Sequence, residues 1–228
     1  MQSQWQTSTY EAGYAQSVDR NKVLRNTYFL LALSMIPTGL GAWFGVAMKF
    51  AMSPLMGVLL FLGVSFGFFF AIERTKNSPA GVFLTLGWTG FMGLWLSQYL
   101  QHALRFSNGS TLIAMAAAGT AVVLFAMSAL AIVSKRDFSF MGKFLFVGVI
   151  ITLVASLANI FLQIPALMLA VSVMVTVIFS LYILYDVSQI VNGGETNYIT
   201  ATVQLYLDIY NVFISLLNLL MAFGGERD

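Results

Sequence analysis

An all-α polytopic membrane bundle of seven transmembrane helices, with the seventh helix central, is the fold this sequence predicts. Three observations carry that prediction. Of its 228 residues, 59% are hydrophobic and 9% charged, where a soluble domain has about 25% charged residues. Apolar runs near 20 residues long recur seven times, and each is enough to cross the roughly 30 Å hydrocarbon core as a helix. The last run, Tyr198 to Phe223, carries Gln204, Asp208, Asn211, Ser215 and Asn218 at spacings of 4, 3, 4 and 3. That spacing places all five on one helical stripe. In lipid an unpaired polar group costs free energy, so this helix belongs inside the bundle with the other spans around it. A carboxylate at the centre of a span costs about 2.5–3.5 kcal/mol on insertion scales, and Asp208 therefore asks for a reason.

Composition excludes several classes of function. There is no cysteine, hence no disulfide, thiolate metal site or cysteine nucleophile. His102 is the single histidine, which excludes a histidine metal cluster. A net charge of +2 is too small to point to nucleic acid. The first 22 residues are polar, without the apolar core of a signal peptide.

Residues 1–25 read as a polar cytosolic N-terminal tail ending in Asp19, Arg20, Lys22 and Arg25, with Trp5, Tyr10 and Tyr14 along it. Such a tail is flexible by default and is alternatively a handle for a partner. Residues 26–228 read as one membrane domain. The first span, about 27–48, contains Pro37 and the pair Gly41 and Gly45; the second, about 54–72, contains Gly63 and Gly67. Both pairs are G-x-x-x-G, which permits close helix approach. Asn77-Ser78-Pro79 then marks a stop and turn. The third span, about 80–100, sets Trp88, Trp95 and Tyr99 toward its far end, as interfacial rings prefer. His102 and Arg105 follow in a loop closed by Asn108-Gly109.

The fourth span, about 111–133, is built largely from Ala, Val, Leu and Met, and the loop after it is basic. The fifth, about 143–163, repeats the polar pattern with Thr152, Ser156, Asn159 and Gln163. This second stripe is expected to face the interior and to pack against the last helix. Pro165 makes a short turn, and the sixth span, about 166–191, places Tyr182, Asp186 and Gln189 on one face. Gly193-Gly194 end it, and the short loop to Tyr198 makes the sixth and seventh spans antiparallel neighbours.

Seven spans put the termini on opposite sides. One side holds Arg20, Lys22, Arg25, Arg74, Lys76, Lys135, Arg136 and Lys143; the other holds Lys49, Arg105 and Arg227. By the positive-inside bias the N-terminus is expected in the cytoplasm and the C-terminus outside.

Asp186 and Asp208 are the acidic residues well inside the spans, and no Lys or Arg within a span neutralises them. Asp186 precedes Asn192 by about 9 Å of helix and Asp208 follows Tyr198 by about 15 Å, so a shared depth in the cytoplasmic half is allowed. Two close carboxylates in a poor dielectric cannot both ionise easily and titrate as a unit. The pair therefore reads as a proton-sensitive latch. A shared proton holds the two helices together, and full ionisation pushes them apart or admits a cation. Calcium takes oxygen ligands, and carboxylates with Asn or Gln carbonyls suit it. The alternative is interhelical hydrogen-bond glue satisfied by Asn159, Asn211 or tyrosines. Ionisable residues inside a membrane are more often functional.

Enzyme readings are weaker. Tyr185-Asp186 matches the YD pair of presenilin-like aspartyl proteases, but residues 205–208 are Leu-Tyr-Leu-Asp rather than G-x-G-D. Pro165-Ala166-Leu167 also precedes both aspartates, where their P-A-L motif follows both. No span contains a lysine for a retinal Schiff base. The chain is therefore read as a non-enzyme without a cofactor.

The block Gly193-Gly194-Glu195-Thr196-Asn197-Tyr198-Ile199, followed by LYLDIYNVFISLL at 205–217, resembles the C-terminal signature of the Bax inhibitor-1 family. VLRNTYFLLALS at 23–34 and ANIFLQIPAL at 158–167 resemble its bacterial YccA branch. The resemblance implies a seven-helix bundle around the last helix, with Asp186 and Asp208 as a di-aspartyl pH sensor gating a calcium leak. For that branch it also implies an inner-membrane protein that associates with the protease FtsH and restrains it, with the cytosolic N-terminal tail involved. It further implies a gating arginine on the second helix, for which Arg74, at the helix end beside Glu73, is the nearest match. The short C-terminus, Gly224 to Asp228, lacks the basic tail of animal members.

Overall fold

The computed structural model describes the chain from Gln2 to Glu226 apart from Lys135, with side chains from Arg20 onward except Pro54. Its elements are α1 (Gln2–Ala47), α2 (Pro54–Thr75), α3 (Pro79–Ala103), α4 (Gly109–Ser134), α5 (Met141–Leu162), α6 (Pro165–Asn192) and α7 (Tyr198–Gly224). All seven are long and apolar enough to cross a bilayer. The expected first span lies within a longer helix, because α1 begins at Gln2. The side chains of Trp5, Tyr10 and Tyr14, the expected partner handle, lie outside the described residues, as do those of Lys135 and Arg227.

The boundaries follow local chemistry. Pro54, Pro79 and Pro165 open α2, α3 and α6, where a missing N–H costs nothing. Gly193 ends α6 in the left-handed region at φ 83°, which a residue with a Cβ resists. Asn197 caps α7: its Oδ1 accepts from the backbone N–H groups of Ile199 at 3.0 Å and Thr200 at 3.1 Å. Its amide donates to the Lys76 carbonyl and to Asn77 Oδ1, so one side chain ties the start of α7 to the α2–α3 turn.

α7 packs on α1, α3, α4 and α6, while α2 lies on α3 and α5 lies on α6. The buried core gathers around Trp88 and Met92 of α3, Ile183 and Val187 of α6, and Leu205 and Val212 of α7. The closest seam is α1 against α3. A Cβ on Gly41 would overlap the Gly90 carbonyl, one on Gly93 would overlap the Thr38 carbonyl, and one on Gly45 would overlap the Ser97 side chain. The second G-x-x-x-G pair does something else, since a Cβ on Gly63 or Gly67 would meet nothing within 4 Å. Thr38 joins three helices. Its hydroxyl lies 2.8 Å from the Tyr206 hydroxyl and 3.2 Å from the Thr89 carbonyl oxygen.

Trp88, expected among the interfacial rings, is instead fully buried against Phe69 and Tyr206, and a second expectation is overturned with it. The stripe on α5 does not pack against α7, because α5 rests on α6. Thr152 is buried, and its hydroxyl donates to the Val149 carbonyl at 2.9 Å; that of Ser156 donates to the Thr152 carbonyl at 2.7 Å. Hydroxyls that bond back to their own helix need no second helix to satisfy them. Asn159 Oδ1 accepts from Ile164 N–H at 2.9 Å and so closes the end of α5, where Gln163 is exposed in the left-handed region at φ 52°. Asn159 and Gln163 are turn residues, not supports for the aspartates.

Candidate functional site

α6 and α7 are antiparallel neighbours packed along their length, joined by the short turn from Gly193 to Asn197. That geometry brings Asp186 and Asp208 together. Asp186 is 6% exposed and Asp208 4%, and their carboxyl groups are within hydrogen-bond reach of each other. A bond between two carboxyls needs one proton, held by one oxygen and accepted by another. Without it, two negative charges face each other where water cannot screen them. Asp208 Oδ2 is buried and accepts from no N–H or hydroxyl donor. A buried acceptor of this kind is costly and is open to a proton, a water or a cation.

Charged and phenolic groups frame the pair unevenly. Tyr182, one turn before Asp186, is close enough to both carboxyls to feel their charge. Glu195, in the α6–α7 turn, is close enough to act on Asp186 by its charge, while its carboxylate accepts the Asn197 N–H at 2.7 Å. The α4–α5 loop closes over this end of α6. Ser188 accepts from Phe138 N–H and donates to the Arg136 carbonyl, Asn192 donates to the same carbonyl, and Gln189 donates to Ser139. In that loop the Ser139 hydroxyl and backbone N–H hold the exposed Asp137 carboxyl below the usual carboxylate range.

Arg74 is not beside the pair. It is exposed at the end of α2, and its guanidinium lies 4.2 Å over the ring of Phe70, one turn back on the same helix. α2 rests on α3 and makes no extensive contact with α6, so this arrangement does not bring Arg74 and Asp186 together. The remaining α7 stripe divides by depth. Gln204 is exposed near the α6–α7 turn; Asn211 is half-buried and donates to the Leu207 carbonyl at 2.8 Å; Ser215 is buried. Asn218 lines a cavity of about 330 Å³ at the opposite end of the bundle, with Gln98, Tyr99 and His102. From Asp208 to Asn218 the stripe covers about 15 Å of helix.

Among the described residues no group of three or more His, Cys, Asp or Glu side chains gathers at one point. Two carboxylates supply too few of the six to eight oxygens that calcium takes. The donor set fits a cation in transit, completed by waters, better than a resident ion. Sequence reasoning missed Tyr206, whose hydroxyl joins Thr38 two residues before Asp208; its spacing in Leu-Tyr-Leu-Asp gives no sign of the α1 hydroxyl that meets it.

Compared with known proteins, residues 20–225 match the model of the family Bax1-I, described as inhibitor of apoptosis-promoting Bax1. The chain is 44% identical over 200 residues to the protein of Escherichia coli strain K12 called modulator of FtsH protease YccA, covering 88% of this chain and 90% of that one. It is 40% identical over 212 residues to an uncharacterized membrane protein of Vibrio cholerae, covering 93% and 94%. Over 231 residues it is 35% identical to an uncharacterized protein of Campylobacter jejuni, covering 96% and 100%.

Proposed function

Because the chain belongs to the Bax1-I family, whose model matches residues 20–225, we propose that it is a proton-responsive cation leak, for calcium first, closed by the Asp186–Asp208 pair. The observation that carries this reading is the pair itself: two buried carboxyls on adjoining helices, one with an oxygen that accepts from no N–H or hydroxyl donor. With one shared proton, α6 and α7 are bonded to each other. When it leaves, repulsion between the carboxylates loosens the pair, and the same oxygens become ligands for a passing cation. The α7 stripe then offers Asn211, Ser215 and Asn218 as polar steps toward the cavity at His102.

In liposomes, calcium flux measured against pH should depend on the pair. Asp186→Asn and Asp208→Asn are each expected to flatten the profile, since an amide keeps the hydrogen bond but cannot titrate. A wild-type profile in both variants would exclude the pair as the gate.

A second reading rests on the relative named for FtsH. The chain would then sit in the inner membrane with α1 entering from the cytoplasm, as the excess of Lys and Arg on that side favours, and would restrain a membrane-bound protease. On that reading the chain co-purifies with FtsH, and overexpressing it lengthens the half-life of FtsH membrane substrates. Unchanged half-lives on both deletion and overexpression would count against it. The two readings are compatible, and neither assigns a catalytic step to the aspartates.

A further inference from the structure

The pair and its stripe lie on one side of α7; a cavity of about 570 Å³ lies against α1, α4 and α7, lined by Tyr28, Met35, Gly39, Ala117, Ala121 and Tyr206 among others. Its size is within the roughly 300–1,000 Å³ of ligand sites. It exists because α1 and α4 both rest on α7 yet hardly touch each other. Small side chains on the two flanking helices widen it: a Cβ on Gly39 would meet nothing within 4 Å. The walls are overwhelmingly apolar, and the mouth is continuous with the lipid-facing surface. Met35 on α1 and Phe125 on α4, at 68% exposure, line the cavity and face outward beside Phe29, Ile36 and Val122.

We infer that this cavity is a lipid site, which takes one acyl chain of an anionic phospholipid from the leaflet at the basic end of the bundle. Length, chemistry and charge agree on that occupant. Along α1 the lining runs from Tyr28 to Gly39, about 16 Å of helix, which is half the roughly 30 Å hydrocarbon thickness and so one leaflet. It begins one turn beyond Arg25, the last charged residue of α1 before Lys49. At that level the Tyr28 hydroxyl and the Ser128 hydroxyl of α4 are both buried without a hydrogen-bond partner, where an ester group would stand. Lys22 and Arg25 precede it on α1, and Arg136 follows α4, so the rim above the cavity is basic and suits an anionic headgroup. The chain would lie against Tyr206 and Tyr210, two residues either side of Asp208, and brace α7 from the face opposite α6.

The test is native mass spectrometry of the whole chain taken from vesicles of phosphatidylethanolamine and phosphatidylglycerol, with delipidation stepped until surface lipid is gone. One phosphatidylglycerol is expected to outlast the rest. Ala121→Trp and Gly39→Phe, which fill the cavity, should weaken its retention by about tenfold or more. Phe144→Trp, on the lipid-exposed face of α5, should not. Should Ala121→Trp fail to fold, Gly39→Phe carries the test, because its ring enters open space. Arg25→Gln with Arg136→Gln should remove the preference for phosphatidylglycerol while leaving a lipid in place. Retention indifferent to both filling variants, or no lipid outlasting the annulus, would overturn the site. Equal retention of phosphatidylethanolamine by the wild type would overturn the choice of an anionic lipid.

Discussion

Gly93→Leu is expected to abolish folded protein in the membrane, and Gly93→Ala to lower the melting temperature measured by size-exclusion chromatography after heating in detergent. The reason is what a side chain would strike. At Gly93 the first carbon already overlaps the Thr38 carbonyl, and at Gly41 it overlaps the Gly90 carbonyl. Backbone cannot swing aside as the end of a side chain can, so α1 and α3 would have to separate. Overpacking typically costs about 1–3 kcal/mol where neighbours can adjust, and this seam offers less adjustment than most. Separation would also break the junction at Thr38, whose hydroxyl meets Tyr206 of α7 and the Thr89 carbonyl. Gly63→Ala and Gly67→Ala, made in the same way, should leave melting unchanged, since both positions open on empty space. A wild-type melting temperature in Gly93→Ala, or a loss in Gly63→Ala equal to it, would contradict this account of the seam.

These two glycine pairs also mark how far the sequence could be read. Both are G-x-x-x-G on neighbouring spans, and nothing in their spacing separates the pair that meets α3 from the pair that meets nothing. The stripe on α7 was legible because polar atoms cannot face hydrocarbon unpaired, and Asp208, Ser215 and the half-buried Asn211 do point inward. The same reasoning failed on α5, because Thr and Ser can satisfy their hydroxyls on their own backbone, so a stripe of them does not require a partner. Gln204 belongs to the α7 stripe by spacing and is exposed by depth, which periodicity does not report. Two helix ends and a short turn only allowed Asp186 and Asp208 a shared depth, because the uncertainty of a helix end exceeds the width of a carboxyl. The cavity beside α1 had no signal at all, since it arises from two helices that do not pack together.

Converting the proton latch into a fixed ion pair should separate titration from closure. Asp186→Lys, with Asp208 intact, would place an ammonium opposite the carboxylate across the α6–α7 seam. The basic residues that fall within spans, Arg20, Lys22, Arg25, Arg74 and Lys143, all stand in the end turns of the spans of α1, α2 and α5 rather than at their centres, and Arg74 is held away on the end of α2. The attraction between opposite charges would no longer depend on a shared proton, so calcium flux should be low and insensitive to pH throughout the range in which the wild type responds. Folded yield should survive, because the charge introduced has a partner already in place. Asp186→Lys with Asp208→Lys removes that partner and buries two like charges instead. A buried pair broken in this way typically costs about 3–5 kcal/mol, and folded yield should collapse. The single and double variants thus bracket the latch: one holds α6 to α7 without a proton, the other forces them apart. A pH response in Asp186→Lys matching the wild type would mean that protons act elsewhere. Glu195 would then be the next group to replace, since its charge already reaches Asp186 from the turn that joins the two helices.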